Sequence, residues 1–244
     1  MALERREFKY LLPMRRADEL RRAMEGIARR DPYAGPDGSY LIRSLYLDTP
    51  DLRLYEANDR EAGNRFKVRV RCYPGAQAPV FLEVKRRDGD VILKTRIKVP
   101  QERWPDVLRD PGSSRGAQAF ADLCDRHDLR PTVLVEYSRE AWASDLDDYA
   151  RVTLDRAVCA AAPDGWQLDP PGLSWRPIDH PMLTATWEPV AIVELKFAGA
   201  PPVWMHRMVA RLELFRYSYS KYCTAVRALA RPADRREPVA AWGP

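Results

Sequence analysis

Lys67, Arg69 and Arg71 alternate with Phe66, Val68 and Val70 in the run Arg65-Phe66-Lys67-Val68-Arg69-Val70-Arg71. A β-strand sends successive side chains to opposite faces, so this run carries one cationic face and one apolar face. The same period of two recurs with Glu83, Lys85 and Arg87, with Lys94, Arg96 and Lys98, with Glu194 and Lys196, and with Glu7 and Lys9 near the start. A wet sheet face ordinarily mixes neutral polar residues with both charge signs. Cation-rich faces repeated in five segments point instead to an anionic partner, with Lys67, Lys85, Arg87, Lys94, Arg96 and Lys196 as candidate ligands. Arginine offers an anion a bidentate fork and lysine a point charge.

Composition narrows the partner. Lys and Arg outnumber Asp and Glu by 40 to 35, a formal net charge of +5, and such a balance bears on association more than on fold. The 244 residues, 45% of them hydrophobic, suffice for a sizeable core, and barrels of this length commonly form one domain. One domain over 1–232 and a flexible tail over 233–244 are expected. No run approaches the roughly 18 to 20 apolar residues that span a bilayer, and the start Met1-Ala2-Leu3-Glu4-Arg5-Arg6-Glu7 lacks the apolar stretch of a signal peptide. A cytoplasmic protein is expected. Cys72, Cys124, Cys159 and Cys223 show no CxxC spacing, and His127, His180 and His206 form no HExxH, which argues against zinc, disulfide or His-based chemistry. Nucleic acid is set aside: a single-strand site needs aromatic platforms beside its cations, and Phe66 and Phe81 read as members of the apolar register.

The elements that would position these cations follow from the same periodicity. Strands are expected over 5–12, 39–48, 65–73, 79–87, 91–99, 132–142, 151–158 and 190–198, with Asp88-Gly89-Asp90 marking a hairpin. Helical spacing marks 15–30, 101–108, 116–127, 201–215 and 218–229, with a short helix through Leu54 and Tyr55. The Pro-, Gly- and Trp-rich stretch 163–188 reads as a long irregular loop, with Trp166, Trp175 and Trp187 as its anchors. Eight antiparallel strands with one apolar and one charged face do not make a filled small barrel, whose inside is apolar. The expected fold is therefore α+β: an eight-stranded antiparallel closed β-barrel, a tunnel with a cationic interior and helices packed on the outside.

Seven motifs in order resemble the VTC domain. They are Arg5-x-Glu7-x-Lys9-Tyr10, Ser44-Leu45-Tyr46-Leu47-Asp48-Thr49-Pro50, Asn64-Arg65-Phe66-Lys67-Val68-Arg69-Val70-Arg71, Glu83-Val84-Lys85-Arg86, Arg151-Val152-Thr153-Leu154-Asp155, Val193-Glu194-Leu195-Lys196-Phe197 and Ser218-Tyr219-Ser220-Lys221-Tyr222. That domain is the catalytic part of a polyphosphate polymerase, a member of the triphosphate tunnel metalloenzymes alongside the CYTH proteins. The resemblance covers about residues 4 to 230. It implies an eight-stranded tunnel and transfer of the γ-phosphate of ATP to a growing polyphosphate chain, with Mn²⁺ or Mg²⁺ as cofactor.

Carried onto matching positions, the resemblance implies Lys9, Arg69, Arg71, Lys85, Arg139 and Lys221 as catalytic residues. It implies Ser220 as a phosphate ligand and Glu194 as the metal-binding carboxylate. Glu7 and Glu83 stay open between metal ligand and cation partner, Asp155 between the metal site and orienting an arginine, and Tyr137 between packing and a substrate contact. The family also implies a separately encoded membrane protein as a partner, and with it a peripheral place at the inner face of a membrane. Arg5 stands at the first position of the CYTH signature ExExK, which fits the VTC branch. Ser218 and Asn58 stand where the polymerase carries a lysine and an arginine, and Arg60 is the nearest substitute for the latter. The alternatives are a non-catalytic module for polyphosphate, inositol phosphates or nucleotides, and a triphosphatase.

Overall fold

The structure, a computed structural model, describes residues 5–75, 78–89, 91–114, 116–147 and 149–230. The tail expected over 233–244 lies outside the described residues. The strands are β1 (Arg5–Pro13), β2 (Ala28–Arg30), β3 (Tyr40–Asp48), β4 (Asn64–Cys72), β5 (Val80–Asp88), β6 (Val91–Val99), β7 (Arg130–Ser144), β8 (Ala150–Ala161), β9 (Arg176–Pro177) and β10 (Val190–Ala198). The helices are α1 (Ala17–Met24), α2 (Arg53–Asp59), α3 (Ala117–Arg126), α4 (Pro181–Thr184), α5 (Val203–Arg211) and α6 (Lys221–Leu229). All eight expected strands join one antiparallel sheet in the order β1-β10-β8-β7-β3-β4-β5-β6, with the short β2 on β7 and β9 on β8.

The expected closed barrel is corrected here. The sheet path ends at β1 and β6, and no ladder joins them among the described residues. The free edge of β1 is taken by another part of the chain: the Tyr217 amide donates to the Lys9 carbonyl at 2.8 Å, and Tyr10 forms a bridge with Arg216. The sheet nevertheless curls far enough for Lys85 on β5 to reach Glu7 on β1 at 3.3 Å. It is a tunnel-like sheet, held across by side chains at that point rather than by a backbone ladder.

Two apolar clusters cover the convex face. Val68, Val70, Leu82, Ile97 and Val99 pack with Phe120, Leu123 and Cys124 of α3, and Val152, Leu154, Val193 and Leu195 pack with Leu20 and Met24 of α1 and Met205 and Met208 of α5. Helices are expected packed on the outside, as α1, α3 and α5 are; α6 lies on the other face. Its Tyr222, Cys223 and Ala225 pack with Ile42, Val133, Val135 and Ile192, in a cluster that also holds Val158 and Ala160. A register shift in the β7–β8 ladder, with Ala157 at φ 51°, brings Val158 and Ala160 onto the face of Asp155. That end of the concave face is apolar, and α6 covers it.

Other expectations differ locally. The first helix stops at Met24 rather than Arg30, with Gly26 at φ 72° turning the chain into β2. The helix expected over 101–108 is two short 3-10 turns flanking Pro105, which has no N–H to continue it. The 163–188 stretch contains β9 and α4 and is clamped by Arg43, which holds Glu136 at 2.7 Å, the Leu168 carbonyl at 3.0 Å and Asp169, and lies over the Trp175 ring. Trp166 packs on Trp104, whereas Trp187 is fully exposed and anchors nothing.

Candidate functional site

Registry lays the charged side chains in rows across the concave face. Lys67 stands opposite Lys85, and Lys85 opposite Lys94; one step along, Arg69 stands opposite Glu83, and Glu83 opposite Arg96. On the other wall Lys9 pairs with Glu194 and Glu194 with Thr153, while Arg139 stands opposite Asp155. At least ten cations (Lys9, Lys67, Arg69, Arg71, Lys85, Lys94, Arg96, Arg139, Lys196 and Lys221) thus share the face with five carboxylates, Glu7, Asp48, Glu83, Asp155 and Glu194. Their exposure grades along the face. Lys85, Lys94 and Arg96 keep 41, 45 and 39% of their side-chain surface, while Arg139 and Lys221 keep 9 and 7%.

The deep network centres on Asp155 and Glu194. Asp155 receives both arms of Arg139 at 2.6 and 2.7 Å and Lys221 at 2.6 Å. Lys196 lies 3.0 Å, Lys221 3.4 Å, Arg139 3.6 Å and Lys9 3.9 Å from Glu194. Burial would raise both acids, yet these cations hold both below the usual carboxylate range. Asp155 therefore orients Arg139 and Lys221, the reading left open from sequence. Tyr137 forms the floor. Its hydroxyl accepts from Arg71 at 3.2 Å, Lys221 sits 4.8 Å above its ring, and against the effect of burial Arg139 and Arg71 lower its phenol. The buried Thr153 hydroxyl, in the row of Glu194, has no hydrogen-bond partner among the described residues.

The second network centres on Glu83, which is 2% exposed and accepts Arg69 at 2.5 Å and Lys94 and Arg96 at 2.9 Å each. Burial opposes its ionisation, but Arg69, Arg71 and Lys94 keep it far below the ordinary value. Glu7 lies between Lys85 at 3.3 Å and Lys9 at 3.6 Å. Burial and Glu194 push Glu7 up, and Lys9, Lys85 and Lys196 bring it down to about 2. Arg71 and Lys67 have no carboxylate within 4 Å among the described residues. Arg71 touches the Ser44 and Tyr137 hydroxyls, and Lys67 donates to the Ser220 hydroxyl at 2.9 Å.

The structure does not bring every candidate here. Arg60 ends α2, is 79% exposed and lies 3.9 Å from Glu56, away from the cluster. Asn58 is buried and ties α2 to β4 by donating to the Leu54 and Phe66 carbonyls at 2.8 Å. Ser218 bonds Glu61 outside the cluster, and Arg87 donates to the Gly89 carbonyl in its hairpin. The placing of Phe81 in the apolar register is corrected: counted in twos from Glu83 it belongs to the charged face, and Arg96 stacks 3.9 Å from its ring centre. Sequence reasoning missed Ser44, Tyr46 and Asp48, which alternate in SLYLD and share one face. Tyr46 accepts from Arg69 at 3.0 Å and stacks on Tyr222 at 5.0 Å. Asp48 accepts the Leu54 and Tyr55 amides at the start of α2 and the Tyr222 hydroxyl of α6, which fixes the helix that delivers Lys221.

Among the described residues no three His, Cys, Asp or Glu side chains converge on one point, and each oxygen of Glu194 already faces two cations at 3.0 to 3.9 Å. This donor set does not fit a resident divalent ion in the free protein. A cavity of about 560 Å³ near α3, lined by Pro105, Leu108, Cys124 and Trp166, is away from the charged face. No helix among the described residues is long and apolar enough to cross a membrane.

The family model described as the VTC domain matches residues 4–230. No curated protein matches the chain. Among solved structures, a Bacillus halodurans protein described as a candidate adenylate cyclase aligns with a TM-score of 0.51 at 12% identity, covering 89% of this chain and 96% of that one. The PH1819 protein of Pyrococcus horikoshii OT3 aligns with a TM-score of 0.46 at 11% identity, over 91% and 96% of the two chains. At that identity the first likeness concerns the fold.

Proposed function

The chain belongs to the VTC domain family, and on that premise we propose that its concave face binds a triphosphate or polyphosphate chain and transfers the γ-phosphate of ATP to the growing polymer. The observation that carries this reading is the excess of cations over carboxylates on this face, at least ten to five, with Arg71 and Lys67 left without a carboxylate within 4 Å among the described residues. Phosphoryl transfer asks the protein mainly to position the reactants and neutralise charge on non-bridging oxygens. Arg69, Arg71 and Arg139 would clamp phosphates by bidentate contacts, and Lys9, Lys85 and Lys221 would supply point charges. The bond from the γ-phosphorus to the β,γ-bridging oxygen breaks, a terminal chain oxygen forms the new bond, and ADP leaves with the electron pair. Mn²⁺ or Mg²⁺ would arrive with ATP as its complex.

Purified protein incubated with ATP and Mn²⁺ should yield chains that an exopolyphosphatase degrades. Absence of polymer at every metal and pH tested overturns the transfer step. A second reading, anion binding without turnover, is favoured by one observation: the Asn58 position, where the polymerase pattern has an arginine, holds a buried backbone-bonded amide. That reading predicts tight, salt-sensitive binding with ATP left intact. Phosphate released without polymer would mark a triphosphatase.

A further inference from the structure

Lys67 stands apart from the other lysines of the face. Its Nζ meets the Ser220 hydroxyl at 2.9 Å and no carboxylate within ion-pair reach among the described residues. Positive charge surrounds it: Lys85 opposite on β5, Lys9 on β1, and Arg65 on its own strand. Arg69, two residues on, is held by Glu83. The nearby acids are committed elsewhere, Glu7 to Lys9 and Lys85, and Asp48 on β3 to the Thr49, Leu54 and Tyr55 amides and the Tyr222 hydroxyl. From α6 the Ser220 hydroxyl at its cap and the Cys223 thiol face it.

We propose that Lys67 takes up a proton when a phosphate chain settles against it, so that anion binding at this face is coupled to proton uptake. The inference rests on the anion-binding reading above. Burial, then the Lys9 charge, lowers the Lys67 ammonium to about 7, which brings its loss of charge into the neutral range. A phosphate oxygen at hydrogen-bond distance favours the charged form; the lysine nitrogen's lone pair forms the new N–H bond as the bond from the proton to hydronium or the buffer acid breaks, leaving water or the buffer base. Above pH 7 the free lysine is mostly neutral and each binding event must recruit a proton. Affinity should then fall about fivefold from pH 7 to 8 and about tenfold more from 8 to 9. Below about pH 6 the lysine is already charged and its contribution is level. Terminal phosphates gain negative charge over the same range, which alone would move affinity the other way.

The test is calorimetric titration of the full chain with long-chain inorganic polyphosphate at pH 8, in two buffers of unlike ionisation heat, with affinities followed from pH 7 to 9. The expected result is buffer-dependent heat corresponding to about one to one and a half protons per bound protein, about one of them from Lys67. In Lys67→Arg, whose guanidinium stays charged, most of that uptake disappears and the fall in affinity flattens. Lys94, lowered to about 8 by burial, leaves a smaller slope of the same sign in the variant. The buffer comparison needs only the wild type, so it stands even if the variant folds poorly. Equal affinity from pH 7 to 9 with buffer-independent heat overturns the coupling and leaves anion binding intact. No binding at any pH overturns both.

Discussion

Replacing Glu83 by Gln separates charge balancing from metal binding, because the two roles predict opposite effects on affinity. Glu83 is 2% exposed and satisfies Arg69 at 2.5 Å and Lys94 and Arg96 at 2.9 Å. Removing one partner of a buried ion pair typically costs about 3–5 kcal/mol. Lys94 and Arg96 keep 45 and 39% of their surface, so water screens part of the exposed charge and the expected cost is about 2–3 kcal/mol. For a chain of this size that lowers Tm by roughly 5–8 °C. The freed cations then face the ligand. One negative charge removed about 6 Å from a phosphate, at an effective dielectric near 20, is worth about 3 kcal/mol, or roughly tenfold to a hundredfold in affinity after salt screening. The assay pairs thermal unfolding with polyphosphate titration in the presence of a chelator. Expected are a lower Tm in the free protein, tighter metal-free binding, and a larger rise in Tm on adding polyphosphate than in wild type. Unchanged or weaker metal-free affinity in a folded Glu83→Gln protein would refute the reasoning.

Arg71→Met should weaken polyphosphate binding at least about tenfold with little loss of stability, since Arg71 bonds only two hydroxyls among the described residues; Arg60→Ala, altering an exposed side chain outside the cluster, should leave binding unchanged in the same titration. Tyr222→Phe removes the hydroxyl that Asp48 accepts and should cost about 1–2 kcal/mol in denaturant unfolding while weakening binding through Lys221. Lys67→Met should raise Tm in the absence of anion. The folded value of Lys67, about 7, lies below the unfolded one, so its cost is complete below pH 7 and fades as pH rises toward the unfolded value; the Tm gain should shrink over that window. Glu7, Glu83, Asp155 and Glu194 are all depressed, so their stabilisation is full above the usual carboxylate range and is lost as pH falls through their folded values, read as acid unfolding below about pH 4.5.

The charged face was legible because parity in a strand is local: Lys67, Arg69 and Arg71 needed no tertiary information to fall on one side, and the ladders with Glu83, Lys85, Lys94 and Arg96 confirm it. Closure was not legible, because alternation says which face a residue occupies and nothing about which edges pair. The Tyr217 amide, far along the chain, takes the edge of β1. Nor could the apolar stripe of α6 say which side of the sheet it would cover; that depends on the shift at Ala157, which turns Val158 and Ala160 inward. Phe81 was legible and misread, since counting in twos from Glu83 already places it among the cations. Asp48 could have been found in the same way, as an acid on the face of Ser44 and Tyr46, though its tie to Tyr222 spans 174 residues and has no local signal.

The most direct measurement is a crystal structure of this chain with polyphosphate, or with a non-hydrolysable ATP analogue and Mn²⁺. Phosphates lying between Arg69, Arg71 and Lys85 on one wall and Lys9, Arg139 and Lys221 on the other, with Lys67 within hydrogen-bond distance of an oxygen, are the expected result. Phosphates bound on the convex face or at the α3 cavity, with the concave cations still paired to Glu83, Asp155 and Glu194 as in the free protein, would contradict it.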